Sequence, residues 1–363
     1  MNMPAGLSAL ELERYARQVC LPEMGIAGQQ ALKGAKVLIV GVGGLGSPLA
    51  SYLVAAGVGK VGLVDPDQVS LSNLQRQILY ATRDADRPKV WAAKARLEAL
   101  NPEVAIVGHE EALDASNAVR LLTGYDVIAD ATDNFAARYA LMDAAWRLGL
   151  PVVHASLYRH EGQLAVFAPG EGPCYRCLCP TPPLTATNCA DAGVFGVLPG
   201  MLGTMQANEV LKRILGIGRS LSGRFLMVEA LTMRFTEIGM AADPACPLCG
   251  DHAGVTADFP AELPFYAEAD DLELDAADLR DLGEVTFLDV RDVPSAAALA
   301  GARPAPFARL LDELATLPVE RRYVLVCDFG EQSRHAARML RAAGVPLVWS
   351  LKGGSRVFEG LKR

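Results

Sequence analysis

A strand-like run at 36–40, Lys-Val-Leu-Ile-Val, leads directly into a glycine-rich turn, Gly41-Val-Gly43-Gly44-Leu-Gly46. Glycines at these positions permit a tight turn and a close approach of a phosphate group, and the N-terminus of the helix that follows attracts the phosphate's negative charge. A strand, a glycine turn and a helix in this order predict the first unit of a Rossmann-like parallel sheet. By itself the motif also fits a nicotinamide dinucleotide, whose ribose hydroxyl would suit Asp65 at the end of the next strand.

The alternation of strand-like and helix-like segments continues as far as residue 156. Strands are predicted at 36–40, 60–64, 104–107, 126–129 and 151–153, and helices at 47–56, 88–100, 117–122 and 135–148. Antiparallel strands are predicted at 163–167 and within 224–237, with a helix between them at 198–215. The expected fold class is therefore α/β, with a mixed, mainly parallel Rossmann-like sheet that has helices on both faces.

The chain has 363 residues, which exceeds one typical core, so two domains are expected. An acidic, weakly periodic stretch separates them and gives a first domain at 1–250, a linker at 251–269 and a smaller α/β domain at 270–363. In the smaller domain the pattern predicts strands at 285–289, 323–326 and 347–349, and helices at 309–314 and 334–343.

Charge and hydropathy narrow the choice of partners and of compartment. A net charge of −8 argues against broad binding of nucleic acid or of anionic membranes. Glycines interrupt the apolar run at 35–64, which therefore does not read as a membrane span. Ser8 and Glu11 form the pattern of a helix capping box and not of a secretory signal. We expect a cytoplasmic protein whose eight cysteines are reduced.

Polar and basic residues after the second strand favour a triphosphate over a dinucleotide. Ser72, Asn73 and Arg76 lie in one polar loop. Lys89 lies in the first turn of a helix, where a lysine is unfavourable unless an anion is near. A dehydrogenase needs no such pair of cations, whereas a triphosphate does.

An acidic sequence, Asp130-Ala-Thr-Asp133-Asn134, ends the fourth strand at the edge of the sheet where such folds bind ligands. Asp133 suits Mg²⁺, which neutralises phosphate charge. Asp and Asn are equally good N-caps for the helix that begins at residue 135. Both interpretations stay open on the sequence alone.

Two Cys-x-x-Cys pairs, Cys174 with Cys177 and Cys246 with Cys249, have the spacing of zinc ligands. Four thiolates in tetrahedral geometry make a closed, structural site, and their separation along the chain implies that the metal joins two distant hairpins. A redox role for one pair is the rival interpretation. Cys20 reads as a core residue.

At this point the first domain resembles a known family. The motifs that carry the resemblance occur in one order: Arg14-Tyr-Ala-Arg17-Gln, Gly41-Val-Gly-Gly-Leu-Gly46, Asp65-x-Asp67, Ser72-Asn-Leu-Gln-Arg76-Gln, Pro88-Lys89, Asp130-x-x-Asp133-Asn134 and Cys174-Tyr-Arg-Cys177. They are similar to those of the molybdopterin-synthase and thiamine-carrier adenylyltransferases, bacterial relatives of the ubiquitin-activating enzymes. The resemblance covers residues 9–250.

The resemblance implies a homodimer that binds ATP and Mg²⁺, adenylates the C-terminal glycine of a small ubiquitin-like sulfur carrier ending in Gly-Gly, and releases pyrophosphate. It also implies that Arg17 reaches into the site of the other subunit and that Cys189 can accept the activated acyl group. Asp133 would hold the metal ion. The residues expected to bind the nucleotide are Gly41, Gly43, Gly44, Gly46, Asp65, Asp67, Ser72, Asn73, Arg76, Lys89 and Asn134.

The second domain resembles a rhodanese-like domain over residues 270–363, through Phe287-Leu-Asp289-Val-Arg291, Ala300-Gly-Ala, Cys327-x-x-Gly330-x-x-Ser333 and Leu351-Lys-Gly353-Gly354. The loop after Cys327 and the helix that follows would stabilise an anionic sulfur. This implies that Cys327 carries a persulfide, with a cysteine desulfurase as a candidate donor. Asp328 and Glu331 stand where relatives often have basic residues, and acids there disfavour an anionic sulfur. The His-x-Pro-Gly-Ala element also lacks its His and Pro, so sulfur transfer by Cys327 and a reduced activity both stay open.

Two other functions remain compatible with parts of the pattern. The glycine turn and Asp65 alone fit an NAD(P)-dependent oxidoreductase. A platform that binds the carrier without catalysis would need only the fold and a degenerate rhodanese-like domain. The sequence does not name the carrier or the pathway.

Overall fold

The computed structural model of the chain describes residues 6–180, 193–251, 272–280, 282–291, 301–310, 317–328 and 330–355. The chain divides into two compact units. The described part of the first is residues 6–180 and 194–251, and that of the second is Gly193 and the described residues from 272 to 355. The predicted linker at 251–269 falls almost wholly outside the described residues, so the domain boundaries stay a prediction. None of the helices in the described part combines the length and hydropathy that crossing a bilayer requires.

An eight-stranded sheet forms the centre of the first unit. Its strands are β1 Lys36–Val40, β2 Lys60–Val64, β3 Ala105–His109, β4 Val127–Asp130, β5 Val152–Tyr158, β6 Glu161–Phe167, β7 Arg224–Glu229 and β8 Arg234–Gly239. They are arranged in the order β3-β2-β1-β4-β5-β6-β7-β8. The first five run parallel and the last three antiparallel. The predicted mixed, mainly parallel sheet is therefore confirmed.

Helices connect these strands. Their bounds are α1 Ala9–Arg14, α2 Ala16–Val19, α3 Gly25–Gly34, α4 Gly46–Ala56, α5 Lys89–Leu100, α6 Ala118–Leu122, α7 Phe135–Arg147, α8 Tyr175–Leu178 and α9 Val197–Leu215. Helices α4, α5, α6, α7 and α9 lie within one or two residues of the predicted positions, whereas α3 and α8 were not predicted. Helices α4 and α9 pack closely, because a Cβ added to Gly203 would lie only 2.2 Å from the carbonyl oxygen of Leu45. The core between helices and sheet is made of aliphatic side chains such as Leu49, Leu53 and Ile39, all fully buried.

The N-terminal helical region agrees with one prediction and contradicts another. The capping box is confirmed, since the Ser8 hydroxyl accepts from the backbone N–H of Glu11 and the Glu11 carboxylate accepts from that of Ser8. However, α1 ends at Arg14 and a new helix begins after Tyr15, so Arg14 and Arg17 do not share one continuous helix. Cys20 is exposed, and the expectation that it lies in the core was wrong. It follows the last residue of the four-residue α2, which buries no side chain.

A five-stranded parallel sheet forms the second unit, with the order β11-β10-β12-β13-β9. Its strands are β9 Glu273–Leu274, β10 Thr286–Asp289, β11 Arg303–Pro304, β12 Tyr323–Val326 and β13 Val348–Leu351, and its described α-helix is α10 Glu331–Ala342. The predicted smaller α/β domain is confirmed. Strands β9 and β11 were missed because two residues carry no periodicity. Most of the helix predicted at 309–314 lies outside the described residues.

Candidate active site

The glycine turn between β1 and α4 packs directly against the loop that follows β4. Gly41 has φ +93°, a left-handed backbone conformation, and a Cβ added to it would lie 2.5 Å from the carbonyl oxygen of Ala131. A Cβ on Gly46 would lie 2.1 Å from the carbonyl oxygen of Gly41. Only glycine fits at these two positions. The turn is thereby held beside the loop that carries Asp133.

Asp65 anchors the glycine turn from the neighbouring strand. Its two carboxylate oxygens accept hydrogen bonds from the backbone N–H groups of Val42, at 2.8 Å, and Asp67, at 3.0 Å. Burial raises the pKa of Asp65, and the nearby Lys89 ammonium works against this rise. A carboxylate has further lone pairs, so Asp65 can still accept a ribose hydroxyl.

Lys89 is buried and faces carboxylates of its own chain. Its Nζ lies 2.7 Å from an Asp67 oxygen and 3.8 Å from an Asp65 oxygen. A lysine in the first turn of a helix is unfavourable unless an anion is near. Here Asp67 and Asp65 supply at least part of that negative charge. Whether Lys89 also binds a nucleotide stays a prediction.

Two buried polar atoms beside the glycine turn have no hydrogen-bond partner among the described residues. They are Oγ of Ser47, in the first turn of α4, and Oε1 of Gln77, whose amide lies 3.5 Å from the point where a Cβ of Gly43 would be. Unpaired buried polar atoms are costly unless water or a ligand satisfies them. A hydroxyl, an amide and the N-terminus of a helix at one glycine turn fit a nucleotide with its phosphates.

Arg76 lies next to the same turn. A Cβ on Gly44 would be 3.5 Å from Arg76 Cγ, and Arg76 Nη1 donates to the carbonyl oxygen of Ser72 at 3.3 Å. A short 3₁₀ turn, Leu71–Asn73, positions it, because the Asn73 carbonyl accepts from the backbone N–H of Arg76 at 3.0 Å. The structure therefore places Arg76 beside the glycine turn, and the loop that carries Ser72 and Asn73 holds it there. Their binding of a nucleotide stays a prediction.

Asp133 and Asn134 have separate surroundings at the end of β4. The Asn134 side chain caps α7 by accepting from the backbone N–H of Ala137 at 2.8 Å. Asp133 is exposed. The capping interpretation therefore applies to Asn134, and the carboxylate of Asp133 is left accessible for a cation.

A buried polar group behind this loop was missed by the sequence reasoning. His154 Nδ1 lies 2.7 Å from an oxygen of Asp130, and Arg138 Nε lies 3.4 Å from the same oxygen. Asp130 and His154 are register partners on β4 and β5. Burial alone would raise the pKa of Asp130, but His154, Arg138 and Thr132 lower it, so the carboxylate is charged. An aspartate ending one buried strand beside a histidine in the next was the available signal.

Four cysteine sulfurs meet in the first unit. The Sγ atoms of Cys174, Cys177, Cys246 and Cys249 all lie within 4.8 Å of one another. The pairs Cys174–Cys246 and Cys177–Cys249 are 3.4 and 3.2 Å apart, and Cys174–Cys177 is 3.9 Å apart. Tetrahedral Zn–S bonds of about 2.3 Å place sulfurs about 3.8 Å apart, so the donor set fits zinc. Burial raises the pKa of Cys174, and that of Cys249 rises to about 11.

The loop after Cys327 surrounds its sulfur with donors. The backbone N–H groups of Gly330 and Ser333 point to Sγ at 3.1 and 3.4 Å, and the Ser333 hydroxyl lies 3.4 Å away. Gly330 has φ +92° and caps α10. A Cβ added to Gly354 would lie 2.5 Å from the carbonyl oxygen of Cys327. Cys327 is 4% exposed, so its sulfur lies at the bottom of this loop.

Asp328, one of the acids expected to weaken this site, has a counter-charge. Its carboxylate lies 2.7 Å from Arg291 Nη1, while the other side of the same guanidinium binds Asp289. Arg291 is buried, and the hydrogen bonds that it donates to the Asp289 carboxylate raise the pKa of its guanidinium, so it stays charged. The negative charge of Asp328 is therefore compensated locally. The side chain of Glu331 and most of the 298–302 element lie outside the described part.

Two predicted site residues remain, Arg17 and Cys189. Arg17 is exposed on α2, while Arg14 Nη1 donates to the carbonyl oxygen of Leu100 at 3.2 Å. Cys189 lies outside the described residues, so its role as an acyl acceptor stays a prediction. The roles of all the predicted site residues remain predictions.

Comparison with known proteins gives two family matches. The ThiF family model matches residues 15–248, and the rhodanese-like domain model matches residues 272–360. A "Sulfur carrier protein adenylyltransferase" of Thermus thermophilus is 50% identical over 248 residues, which cover 66% of this chain and 92% of that protein. A "Probable adenylyltransferase/sulfurtransferase MoeZ" of Mycobacterium tuberculosis is 39% identical over 367 residues, covering 96% and 93%.

Two further matches extend these findings. An "Adenylyltransferase and sulfurtransferase MOCS3" of Sus scrofa is 50% identical over 255 residues, but they span only 56% of that protein and 69% of this chain. The crystal structure of E. coli MccB with ATP matches with a TM-score of 0.58 at 22% identity, over 65% of this chain and 74% of that one, which concerns the fold alone. The predicted resemblance is confirmed. The chain belongs to the ThiF family, and a rhodanese-like domain follows its ThiF part.

Proposed function

We propose that the first unit uses ATP to adenylate the C-terminal glycine of a ubiquitin-like sulfur carrier ending in Gly-Gly, and that the second unit supplies sulfur to the activated carboxylate. The observation that carries the proposal is the meeting of the glycine turn, Arg76 and the loop of Asp133 at one edge of the sheet. The names of the Thermus and Mycobacterium relatives, which this chain covers almost completely, agree with it.

In this proposal the chain's own residues bind and orient the nucleotide. The glycine turn and the N-terminus of α4 receive the phosphates, and Asp65 accepts a ribose hydroxyl. Arg76 and Lys89 neutralise phosphate charge, and the Asn73 amide donates a hydrogen bond to the nucleotide. Asp133 holds Mg²⁺, which when bound neutralises further phosphate charge.

Adenylation then requires one displacement. An oxygen of the carrier's carboxylate bonds to the α-phosphorus, and the bond from that phosphorus to pyrophosphate breaks, leaving an acyl-adenylate. A carboxylate is a weak nucleophile, so the rate depends on alignment and on neutralised charge. We further propose that Arg17 of a second copy completes the site in a homodimer, since it is exposed and available for such a contact.

Sulfur transfer would follow from a persulfide on Cys327. Its terminal sulfur bonds to the carrier's carbonyl carbon while AMP leaves, and a reducing thiol then releases the carrier as a thiocarboxylate. The backbone N–H groups of Gly330 and Ser333 would stabilise the charge on sulfur. A cysteine desulfurase is the proposed source of the persulfide sulfur. The thiol chemistry of both units requires a reducing compartment, which supports a cytoplasmic protein.

We propose that the four cysteines bind one Zn²⁺ per chain and that the metal is structural. Replacing Cys246 by Ser should abolish stoichiometric zinc and lower the melting temperature by about 5 °C or more, because a structural metal contributes folding energy directly. Zinc content by mass spectrometry and thermal unfolding check this. The matched control is the exposed Cys20→Ser, which should change neither quantity. Full zinc content in Cys246→Ser would contradict the assignment.

The decisive test of the proposed function is exchange of labelled pyrophosphate into ATP. The full chain should catalyse this exchange with Mg²⁺ only when a purified carrier ending in Gly-Gly is present, and a carrier that lacks its last glycine should not support it. Every small ubiquitin-like protein of the source genome serves as a probe in turn. Absence of exchange with all of them would refute adenylation, and reduction of NAD(P) by a substrate would favour the oxidoreductase.

A further inference from the structure

Three polar side chains from different elements meet in the interior directly below the Asp133 loop. They are Asp130 at the end of β4, His154 on β5 and Arg138 on α7, with exposed fractions of 0%, 1% and 6%. One carboxylate oxygen of Asp130 lies 2.7 Å from His154 Nδ1 and 3.4 Å from Arg138 Nε. We call these three residues the buried triad.

The other oxygen of Asp130 holds the loop itself. It accepts from both the backbone N–H and the hydroxyl of Thr132, at 3.0 and 2.6 Å. Arg138 Nη2 donates to the carbonyl oxygen of Thr132 at 2.8 Å. The two peptide groups that flank Thr132 are therefore fixed by the buried triad, and the next residue in the chain is Asp133.

Hydrogen bonds and ring contacts from neighbouring residues restrict the conformations of the buried triad. Gln206 on α9 donates to the carbonyl oxygens of Asp130 and Val153, both at 2.8 Å, and so ties β4 to β5. The rings of Tyr175 and Phe167 pack against His154 at centroid distances of 5.6 and 6.0 Å. A neutral His154 can donate only through the nitrogen that carries its proton, and Asp130 selects Nδ1. The histidine thus fixes the rotamer of Asp130.

We propose that His154 is a positioning residue for adenylation: through Asp130, and together with Arg138, it holds the Thr132–Asp133 turn where Asp133 can act on the nucleotide. This inference rests on the proposed function. It goes beyond it because the effect of His154 and Arg138 is transmitted to the loop by Asp130 and by hydrogen bonds to Thr132.

A structural role alone gives a different expectation. Burying a charged pair with a histidine costs desolvation that a well-packed apolar group would avoid, so the triad is a poor means of gaining stability alone. Replacing His154 by Phe keeps the size and removes the donor. If the histidine served stability only, the folded variant would be as active as the original protein.

The test compares His154→Phe with His154→Asn in carrier-dependent pyrophosphate exchange. His154→Phe should lower kcat by about 10- to 100-fold, the range caused by displacements of about 1 Å in an active site, with KM for ATP changed less than about twofold. His154→Asn keeps an amide donor near the position of Nδ1 and should recover most of kcat. Thr132→Val, which removes one bond to Asp130 at constant shape, should lower kcat in the same direction.

The control for stability is Glu209→Leu, which removes a buried carboxylate that binds Lys212 and the backbone of Leu221, away from the loop. It should lower the melting temperature without changing kcat. Two results would overturn the inference and leave the proposed function intact. The first is an unchanged kcat in both His154→Phe and Thr132→Val, and the second is a fall in kcat for Glu209→Leu as large as that for His154→Phe. Should His154→Phe fail to fold, Thr132→Val alone decides. If the unsubstituted protein shows no carrier-dependent pyrophosphate exchange, the proposed function itself is refuted.

Discussion

Replacing Asp133 by Asn should slow carrier-dependent pyrophosphate exchange by about two to three orders of magnitude, the scale on which single groups that stabilise transition-state charge act. Asp133 is exposed at the end of β4, beside the glycine turn whose Gly41 packs against Ala131. The capping of α7 is provided by Asn134, so the substitution does not remove a cap. The loss is therefore expected in catalysis and not in folding.

Exchange rates measured over a range of Mg²⁺ concentrations check this prediction. Asp133→Asn should require more Mg²⁺ for half-maximal rate, because one carboxylate ligand has been removed. The matched control is Glu103→Gln, an exposed carboxylate just before β3 and thus at the opposite edge of the sheet. Its exchange rate should stay within about twofold of the original. An Asp133→Asn variant with the same rate and the same Mg²⁺ dependence would exclude Asp133 from metal binding.

The parts of the fold that the sequence predicted are those with a strong local signal. Strands β1 and β2 were placed correctly because four of the five residues in each are buried, which requires uninterrupted apolar runs. The glycine turn was recognised because Gly41 and Gly46 occupy positions where any side chain would clash with backbone. In such places the local sequence and the tertiary structure make the same demand.

The parts that it did not predict depend on contacts between distant residues. Helix α1 ends at Arg14, and the next residue, Tyr15, is only 3% exposed. The Tyr15 hydroxyl accepts a hydrogen bond from the side-chain amide of Asn101 at 2.8 Å. The spacing of the apolar residues near the N-terminus does not predict this contact with Asn101. Cys20, five residues after Tyr15, lies at the surface and not in the core.

The same reasoning applies to the candidate site. The spacing of the four cysteines predicted their meeting, because metal ligands leave a pattern in the sequence. The partners of Lys89 leave none. The triad around Asp130 leaves only a weak one, an aspartate at the end of one strand and a histidine in the next, because a histidine inside a strand is more often an ordinary core residue. Their arrangement follows from the register of β4 and β5 and from the packing of α7, which are set by the whole sheet.

A similar tertiary effect changes the expectation for the second unit. The sequence suggested that Asp328 would weaken an anionic sulfur on Cys327. In the structure, Arg291 binds the carboxylate of Asp328 at 2.7 Å and is itself held by Asp289. The acid is one half of an ion pair, so its effect on the sulfur is reduced. The donors around Cys327 then favour an active loop over a degenerate one.

Replacing Cys327 by Ser should therefore abolish formation of the carrier thiocarboxylate while leaving pyrophosphate exchange within about twofold of the original rate. A hydroxyl cannot carry the sulfane sulfur, and removing a covalent nucleophile costs several orders of magnitude in rate. Intact-mass measurement of the carrier detects the exchange of one oxygen for sulfur, after supply of ATP and a persulfide donor.

The control for this substitution is Cys20→Ser, which removes an exposed thiol and should preserve both reactions. A second variant, Arg291→Met, leaves Asp328 without its counter-charge and should slow sulfur transfer but not exchange, because the carboxylate would then oppose an anionic sulfur. Sulfur transfer that persists in Cys327→Ser would assign the persulfide to another cysteine. A simultaneous loss of exchange would mean that Cys327 is also needed for adenylation, and the separation of the two reactions between the two units would then be wrong.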